Sequence, residues 1–455
     1  MNCIIIYRNN PGIKVDESEY RISVIKETDI GNIDEWSHES WTLHYNSDII
    51  RKFFIEQNQY TTIPKDNNKY ITLFCSTSGN IDTEIDYFEK FKSYPLLKKI
   101  FNDLKQNKTC MFYFQPDQNA VVNPNSDNND NLINFLEKNN IDFDNFIMVS
   151  GNYILNKNEH KKHSKLNFIN FNRTGVMQNV EKRKLLNSYQ RIVKSTDGYL
   201  RQHKFLCPLN NIFKPHRLKL LMFLLENNLL NDGIFSIWPF ILDQYETKED
   251  SYHGMEYTFN QLLECVKNDG ALTDDSPEIK DLRQKEHYLD KIFDLIPMSM
   301  DWKRNGTHQY SNFSLYMNSY FHIVGETEWD LRNHPEVEFG FLSEKIFKPM
   351  LGIQPFIVVG HHGSLDMLKK WGFKTFDRWI DESYDKEENL LKRMELLEKE
   401  ILRLSKFSRE EMDKMYWEMY DDVLIHNFNQ IDIHVVDEWN KVQMSIENMW
   451  ENINS

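Results

Sequence analysis

Cysteine is scarce in this chain. There are five in 455 residues, Cys3, Cys75, Cys110, Cys207 and Cys265, an odd number with no CxxC spacing. A disulfide framework is therefore not expected, and the thiols read as reduced and mostly buried. Long apolar runs are also missing. No segment approaches the roughly 20 residues needed to span a bilayer, so no membrane span is expected. The start, MNCIIIYRNN, has only a brief apolar run before Arg8 and Asn9, which predicts no signal peptide and a cytoplasmic location. Positive charge is the minority sign: 54 Lys and Arg stand against 69 Asp and Glu, a net −15. Nucleic-acid phosphates need clustered Lys and Arg, so nucleic acid is not expected as the principal partner. No internal repeat is found, which excludes a repeat architecture.

What is present is the composition of a globular chain of two or more domains: 40% apolar, 27% charged and 13% aromatic. Short apolar runs alternate with helical spacing. Strands are expected at Tyr70–Cys75, Thr109–Phe114 and Phe146–Ser150, with helices over 86–104 and 132–138. The polar stretch from Asn123 to Asn131 reads as an exposed loop. The second half repeats this grammar, with strands at 204–209, 234–238, 320–324 and 355–359 and a helix over 216–230. Alternation of this kind predicts layered α/β domains. The expected divisions are 1–196, 197–386 and a helical C-terminal extension at 387–455, with a ligand cleft between the two α/β halves.

Four clusters in the second half carry chemistry. Arg217 follows a strand and opens a helix, where anions are favoured, although it also reads as a simple surface charge. Glu326 and Glu328 follow the strand at 320–324 and would share a face if extended; a charged loop is the plainer reading. Ser343-Glu344-Lys345 offers a helix cap, a carboxylate and a cation, with Pro349 expected to kink or loosen the helix. Gly360-His361-His362-Gly363 closes the strand at 355–359. Its adjacent histidines would point apart in a strand, with no carboxylate at a recognisable ligand spacing, so no metal is expected there. Asp142-Phe-Asp144 resembles the metal-binding DxD of some glycosyltransferases but lies in a polar linker before a strand of the first half, so no metal is expected there either. The sequons at Asn172, Asn305 and Asn312 read as chance matches.

Taken in order, these clusters resemble the donor domain of GT-B glycosyltransferases related to the α1,3-fucosyltransferases. Arg217 matches the diphosphate-binding Arg, Glu326 the acidic member of a Phe-Glu-Asn segment, and Glu344-Lys345 the Glu-Lys motif. Gln354-Pro-Phe-Ile-Val-Val-Gly360 matches the strand that follows. The segments Pro215-His-Arg217, Ser343-Glu-Lys345 through Lys348-Pro349, and Gly372-Phe-Lys-Thr-Phe376 are similar to those of uncharacterised glycosyltransferase-like proteins of large DNA viruses and phages. The resemblance covers about 200–385. Two departures stand out: Thr327 replaces the Asn of Phe-Glu-Asn, and an acidic loop occupies 330–338.

The resemblance implies a GT-B-like fold, two Rossmann-like domains facing a cleft. It implies an inverting, metal-independent transfer from a nucleotide-diphosphate sugar (GDP-fucose-like or other) to a glycan hydroxyl, with no cofactor. Arg217, Glu326, Ser343, Glu344, Lys345 and Gly360 would bind the donor. Glu344 would hold the ribose hydroxyls, and Arg217 and Lys345 the diphosphate. One of Glu84, Asp86 and Asp117, near strand ends of the first half, would be the base. Tyr113, Gln115, Asp117 and Gln118, grouped at a strand end, suit a sugar acceptor in the cytoplasm of a bacterial or infected cell, although ordinary core is the plainer reading of this cluster. Two alternatives stay open. A phage-type DNA-base glycosyltransferase would draw on Lys161, Lys162, Lys165 and Arg173. The other is a non-catalytic protein that binds nucleotide sugars or carbohydrate.

Overall fold

Parallel strands covered on both faces read as continuous apolar runs. Tyr70–Cys75, Thr109–Phe114, Phe146–Ser150 and Phe356–Val359 have this character, and each is a strand in the computed structural model. The structure describes residues 3–8, 20–22, 69–75, 85, 88–89, 95–114, 127–150, 167–171, 188–212, 214–238, 263–264, 266–267, 272–285, 287, 313–327, 329 and 342–454. The chain forms two units. The first holds residues 1–177, 334–341 and 433–455; the second holds 178–333 and 342–432. Residues 387–432 therefore belong with the second unit and 433–455 with the first.

The first unit contains strands β1 (Cys3–Arg8), β2 (Tyr20–Ile22), β3 (Tyr70–Cys75), β4 (Thr109–Phe114), β5 (Phe146–Ser150) and β6 (Asn167–Asn170), with helices α1 (Pro95–Lys105) and α2 (Asp127–Lys138). The sheet order is β2-β1-β3-β4-β5-β6, parallel throughout except that β2 runs antiparallel to β1. Helix α2 begins inside the stretch read as a loop. Phe88, Phe101, Tyr113, Phe135 and Phe146 form an aromatic core, with Tyr113 stacked 6.0 Å from Phe146. Tyr113 is fully buried, so it supports the sheet and does not face an acceptor. Gln115, Asp117 and Gln118 lie outside the described residues.

The second unit runs α3 (Ser188–Lys194), β7 (His203–Asn211), α4 (Pro215–Glu226), β8 (Gly233–Trp238), α5 (Pro277–Arg283), α6 (Phe313–Met317), β9 (Ser319–Gly325), α7 (Glu344–Leu351), β10 (Phe356–Val359) and α8 (Ser364–Lys370). It continues with α9 (Leu390–Ser405), α10 (Arg409–Met419) and the start of α11 (Ile425–Asn454), whose later residues belong to the first unit. The helical extension expected from 387 comprises α9, α10 and α11, and Ser408 and Glu411 form a capping box that starts α10 afresh. Four parallel strands are ordered β10-β9-β7-β8. The first unit's parallel strands advance in one direction. Here the order reverses at β7: β8 lies on one side, β9 and then β10 on the other. Such a reversal opens a crevice beyond the carboxyl ends of β7 and β9, where open α/β sheets take ligands. Among the described residues no helix is long and apolar enough to cross a membrane. Cys110 and Cys207 are free thiols buried in the two cores.

Candidate functional site

The residues at the reversal are held by a buried arginine. Arg217 sits in the first turn of α4 and is 4% exposed. Its Nη1 donates to the Leu209 carbonyl at 3.3 Å and its Nη2 to the Glu326 carbonyl at 2.9 Å. The guanidinium thus joins the end of β7 to the residue just after β9. Gly325 makes room for it: a Cβ there would stand 3.3 Å from Arg217 Cγ and 3.4 Å from Nε. His216 reinforces the joint. Burial, then the neighbouring Arg217 charge, holds its pKa well below the usual value, so the ring is neutral. Its Nε2–H donates to the same Glu326 carbonyl at 2.8 Å. The ring stacks on Trp329, over which the Arg393 guanidinium also lies at 4.4 Å. Arg393 donates to the Trp329 carbonyl and, at 2.7 Å, to the Glu387 carbonyl, which ties the post-β9 segment to α9.

Glu326 is fully buried. Its carboxylate accepts from the Thr327 N–H at 2.9 Å, the Ser343 N–H at 3.2 Å and the Ser343 hydroxyl at 2.6 Å. Its own N–H donates to the Val359 carbonyl at 2.9 Å, at the end of β10. Gly360 permits that approach, since a Cβ there would meet Glu326 Cβ and Val358 Cγ1 at 3.2 Å. Arg217, Glu326 and Gly360 therefore work beneath the strand ends. The side chains of Arg217 and Glu326 are enclosed by the protein, which does not fit their reading as direct donor ligands.

Above this layer lies α7. Ser343 is its N-cap, accepting from the Lys345 N–H at 3.2 Å. The helix continues through Pro349 to Leu351. The Lys345 ammonium donates to Thr327 Oγ1 at 3.1 Å, Ser343 Oγ at 3.2 Å and Glu344 Oε1 at 3.1 Å. Lys348 lies 3.9 Å from the same Glu344 oxygen. The side chains of Glu344, Lys345 and Lys348 keep 18%, 27% and 20% of their surface exposed. Burial raises the Glu344 pKa, but Lys345 and Lys348 outweigh it and hold the carboxyl well below its usual range. The edge thus presents one fixed carboxylate, two ammonium groups and the Thr327 hydroxyl to a ligand.

Other candidates have structural roles. His361 is buried, and its Nδ1–H donates to the His362 carbonyl at 2.7 Å. The next helix, α8, has its N-terminus filled by the Asp385 carboxylate, which accepts from the Leu365 N–H at 3.0 Å. Burial is the main cause that pushes Asp385 up to about 6. Asp142 accepts from the Asp144 N–H at 3.1 Å, a turn within the first unit. Among the described residues no group of three or more His, Cys, Asp and Glu could hold a metal ion. Glu84, Asp86, Glu328, Lys161, Lys162, Lys165, Arg173 and the sequons at Asn172, Asn305 and Asn312 lie outside the described residues.

The structure therefore gathers Arg217, Glu326, Ser343, Glu344, Lys345 and Gly360 at one sheet edge. Sequence reasoning gave no role to His216, Trp329, Arg393 or Asp385. A His beside an Arg at a helix start was a weak signal for the first; the others had none, because their partners are remote in sequence. No family model and no curated protein matches this chain.

Proposed function

We propose that this chain is a glycosyltransferase that moves a sugar from a nucleotide-diphosphate sugar to a glycan hydroxyl, with its donor site at the reversal in the second unit's sheet. One observation carries the reading. An ionised, partly exposed Glu344 stands beside two ammonium groups at the carboxyl ends of parallel strands. A nucleotide sugar offers complementary groups: ribose hydroxyls for a carboxylate and a diphosphate for cations. In this reading Lys345 and Lys348 stabilise the negative charge that grows on the leaving diphosphate. Glu344 accepts from ribose hydroxyls and is no base, because two adjacent cations keep its proton affinity low. Arg217 and Glu326 act from below by fixing the strand ends. The motif resemblance adds inversion at the anomeric carbon, a GT-B arrangement and independence from metal. The first unit would supply the acceptor surface and the base, one of Glu84, Asp86 and Asp117.

The test is a thermal-shift screen of GDP-, UDP-, CMP- and dTDP-sugars, followed by nucleotide release with a glycan array or duplex DNA as acceptor. One nucleotide sugar should raise the melting temperature, and label should move to glycans with EDTA present. Label in DNA alone would identify a DNA-modifying enzyme instead. Binding without transfer to any acceptor would leave a non-catalytic binding protein. No shift with any nucleotide sugar would overturn the proposal.

A further inference from the structure

We infer that Glu326 is the positioning residue for Lys345, acting through the proton of the Ser343 hydroxyl; the functional importance of this device rests on the proposed donor site. A hydroxyl has one proton to donate and two lone pairs to accept with. At Ser343 all three are used. The proton goes to Glu326 Oε2 at 2.6 Å, and the lone pairs face the Lys345 N–H and the Lys345 ammonium, both at 3.2 Å. The direction of this chain is set at its buried end. Three donors converge on Glu326 Oε2: Thr327 N–H, Ser343 N–H and Ser343 O–H, the first two being amides that can only donate. On the other side of the hydroxyl, both Lys345 groups can only donate as well. The hydroxyl must therefore point its proton inward and its lone pairs outward, towards the cation.

All three donors meet at Oε2, and Oε1 receives only a longer contact from the Ser343 N–H at 3.3 Å. A glutamine that places its oxygen at Oε2 keeps this acceptor, whereas an alanine removes it. The Ser343 hydroxyl proton is then free to turn towards the Lys345 ammonium and repel it. Thr327 is tied to the same centre twice, by its N–H to Glu326 and by its Oγ1 to Lys345. Glu326 thus sets both the N-cap of α7 and the lateral position of the one ammonium that α7 presents in its first turn. His216 and Arg217 fix the main chain of Glu326, so the carboxylate itself has little freedom.

The experiment compares wild type with Glu326→Ala, Glu326→Gln, Ser343→Ala and Ser343→Thr, each first shown to be folded by circular dichroism and a melt. Lysines are acetylated with limiting acetic anhydride, and rates are read by peptide mass spectrometry, with Lys374 as internal control. Lys345 should react several-fold faster in Glu326→Ala and Ser343→Ala. Glu326→Gln, which keeps an acceptor oxygen, and Ser343→Thr, which keeps the hydroxyl, should restore the slow rate, and Lys374 should not change. In parallel, affinities for GDP, UDP and dTDP are measured. The nucleotide that wild type binds should bind about tenfold more weakly to Glu326→Ala and Lys345→Ala. The double variant should be no weaker than Lys345→Ala, since the two residues act as one unit. Unchanged Lys345 labelling in both folded variants would overturn the positioning role and leave Glu326 a purely structural acid. If wild type binds none of these nucleotides, the donor-site reading fails, while the labelling still decides the positioning.

Discussion

Strand β9 has a buried arginine at each end, and the two are used differently. At its entrance Arg201, 5% exposed, donates through Nη1 to the carbonyls of Tyr316 at 2.9 Å and Ser319 at 2.7 Å. At its exit Arg217 donates to the carbonyls of Leu209 and Glu326. Both gather loose carbonyls where a parallel strand starts or stops. What covers them separates the two ends. Arg201 lies 3.8 Å from the Tyr416 ring and 5.6 Å from the Tyr320 ring, and Gln354 adds a second donor to the Ser319 carbonyl at 2.8 Å. Rings and an amide close that end. Arg217 is covered by Gly325 backbone and by a layer that ends in partly exposed Thr327, Glu344 and Lys345. A buried arginine alone therefore marks a strand terminus; the polar groups left open beside it mark a candidate site.

The sharpest way to break this comparison is to remove each arginine. Arg217→Ala and Arg201→Ala should each destabilise the fold by about 3 kcal/mol, since each loses charge-assisted bonds to buried carbonyls. Urea unfolding measures this. Only Arg217→Ala should also weaken nucleotide-sugar binding in the folded fraction. Equal loss of binding in both would show that the two ends are not functionally distinct.

Lys345→Ala should do the reverse. Binding of the nucleotide sugar should fall by about 1.5–3 kcal/mol, the range for a charged hydrogen bond. Stability should fall by less, about 1 kcal/mol, because Glu344 loses the stronger of its two cationic neighbours but keeps Lys348. Calorimetric titration beside a urea melt separates the two effects. A large stability loss with intact binding would move Lys345 from the site to the scaffold.

Gly360→Ala tests the layer beneath. Its Cβ would press on Glu326 and Val358, a strain of about 1–2 kcal/mol. The melt should fall, and nucleotide affinity should fall with it if Glu326 shifts. Normal affinity in the destabilised variant would uncouple Gly360 from the site.

The remaining effects concern pH. Glu344 is depressed in the fold, so its stabilising contribution is present above the ordinary 4.5 and is lost as pH falls below it. Asp385 has the other sign. Its folded pKa is raised from 3.8 to about 6, so its favourable contribution is full below 3.8 and is lost as pH rises through 6. Urea melts between pH 4 and 7 should show a decline in stability that Asp385→Asn flattens and Glu344→Gln leaves in place. An unchanged decline in Asp385→Asn would assign it to another group.

Much of this architecture is local and could be read from the chain. The apolar runs at Tyr70–Cys75, Thr109–Phe114 and Phe356–Val359 fix strands because period and side-chain shape act within a few residues. Ser343 could be named as a cap for the same reason, since its partner is Lys345, two residues on. The reversal of strand order at β7 was not legible, because pairing between β7 and β9 spans more than a hundred residues. Nor were the roles of the charged side chains. Arg217 turns inward because Gly325 has no Cβ and two strand-end carbonyls need donors. Glu326 is enclosed because Ser343, 17 residues away, brings two of its donors. Residue type and spacing alone determined which charged groups reach this edge. Whether each meets solvent or protein was decided only by non-local contacts, because a buried charge is stable only where folding supplies its hydrogen-bond partners.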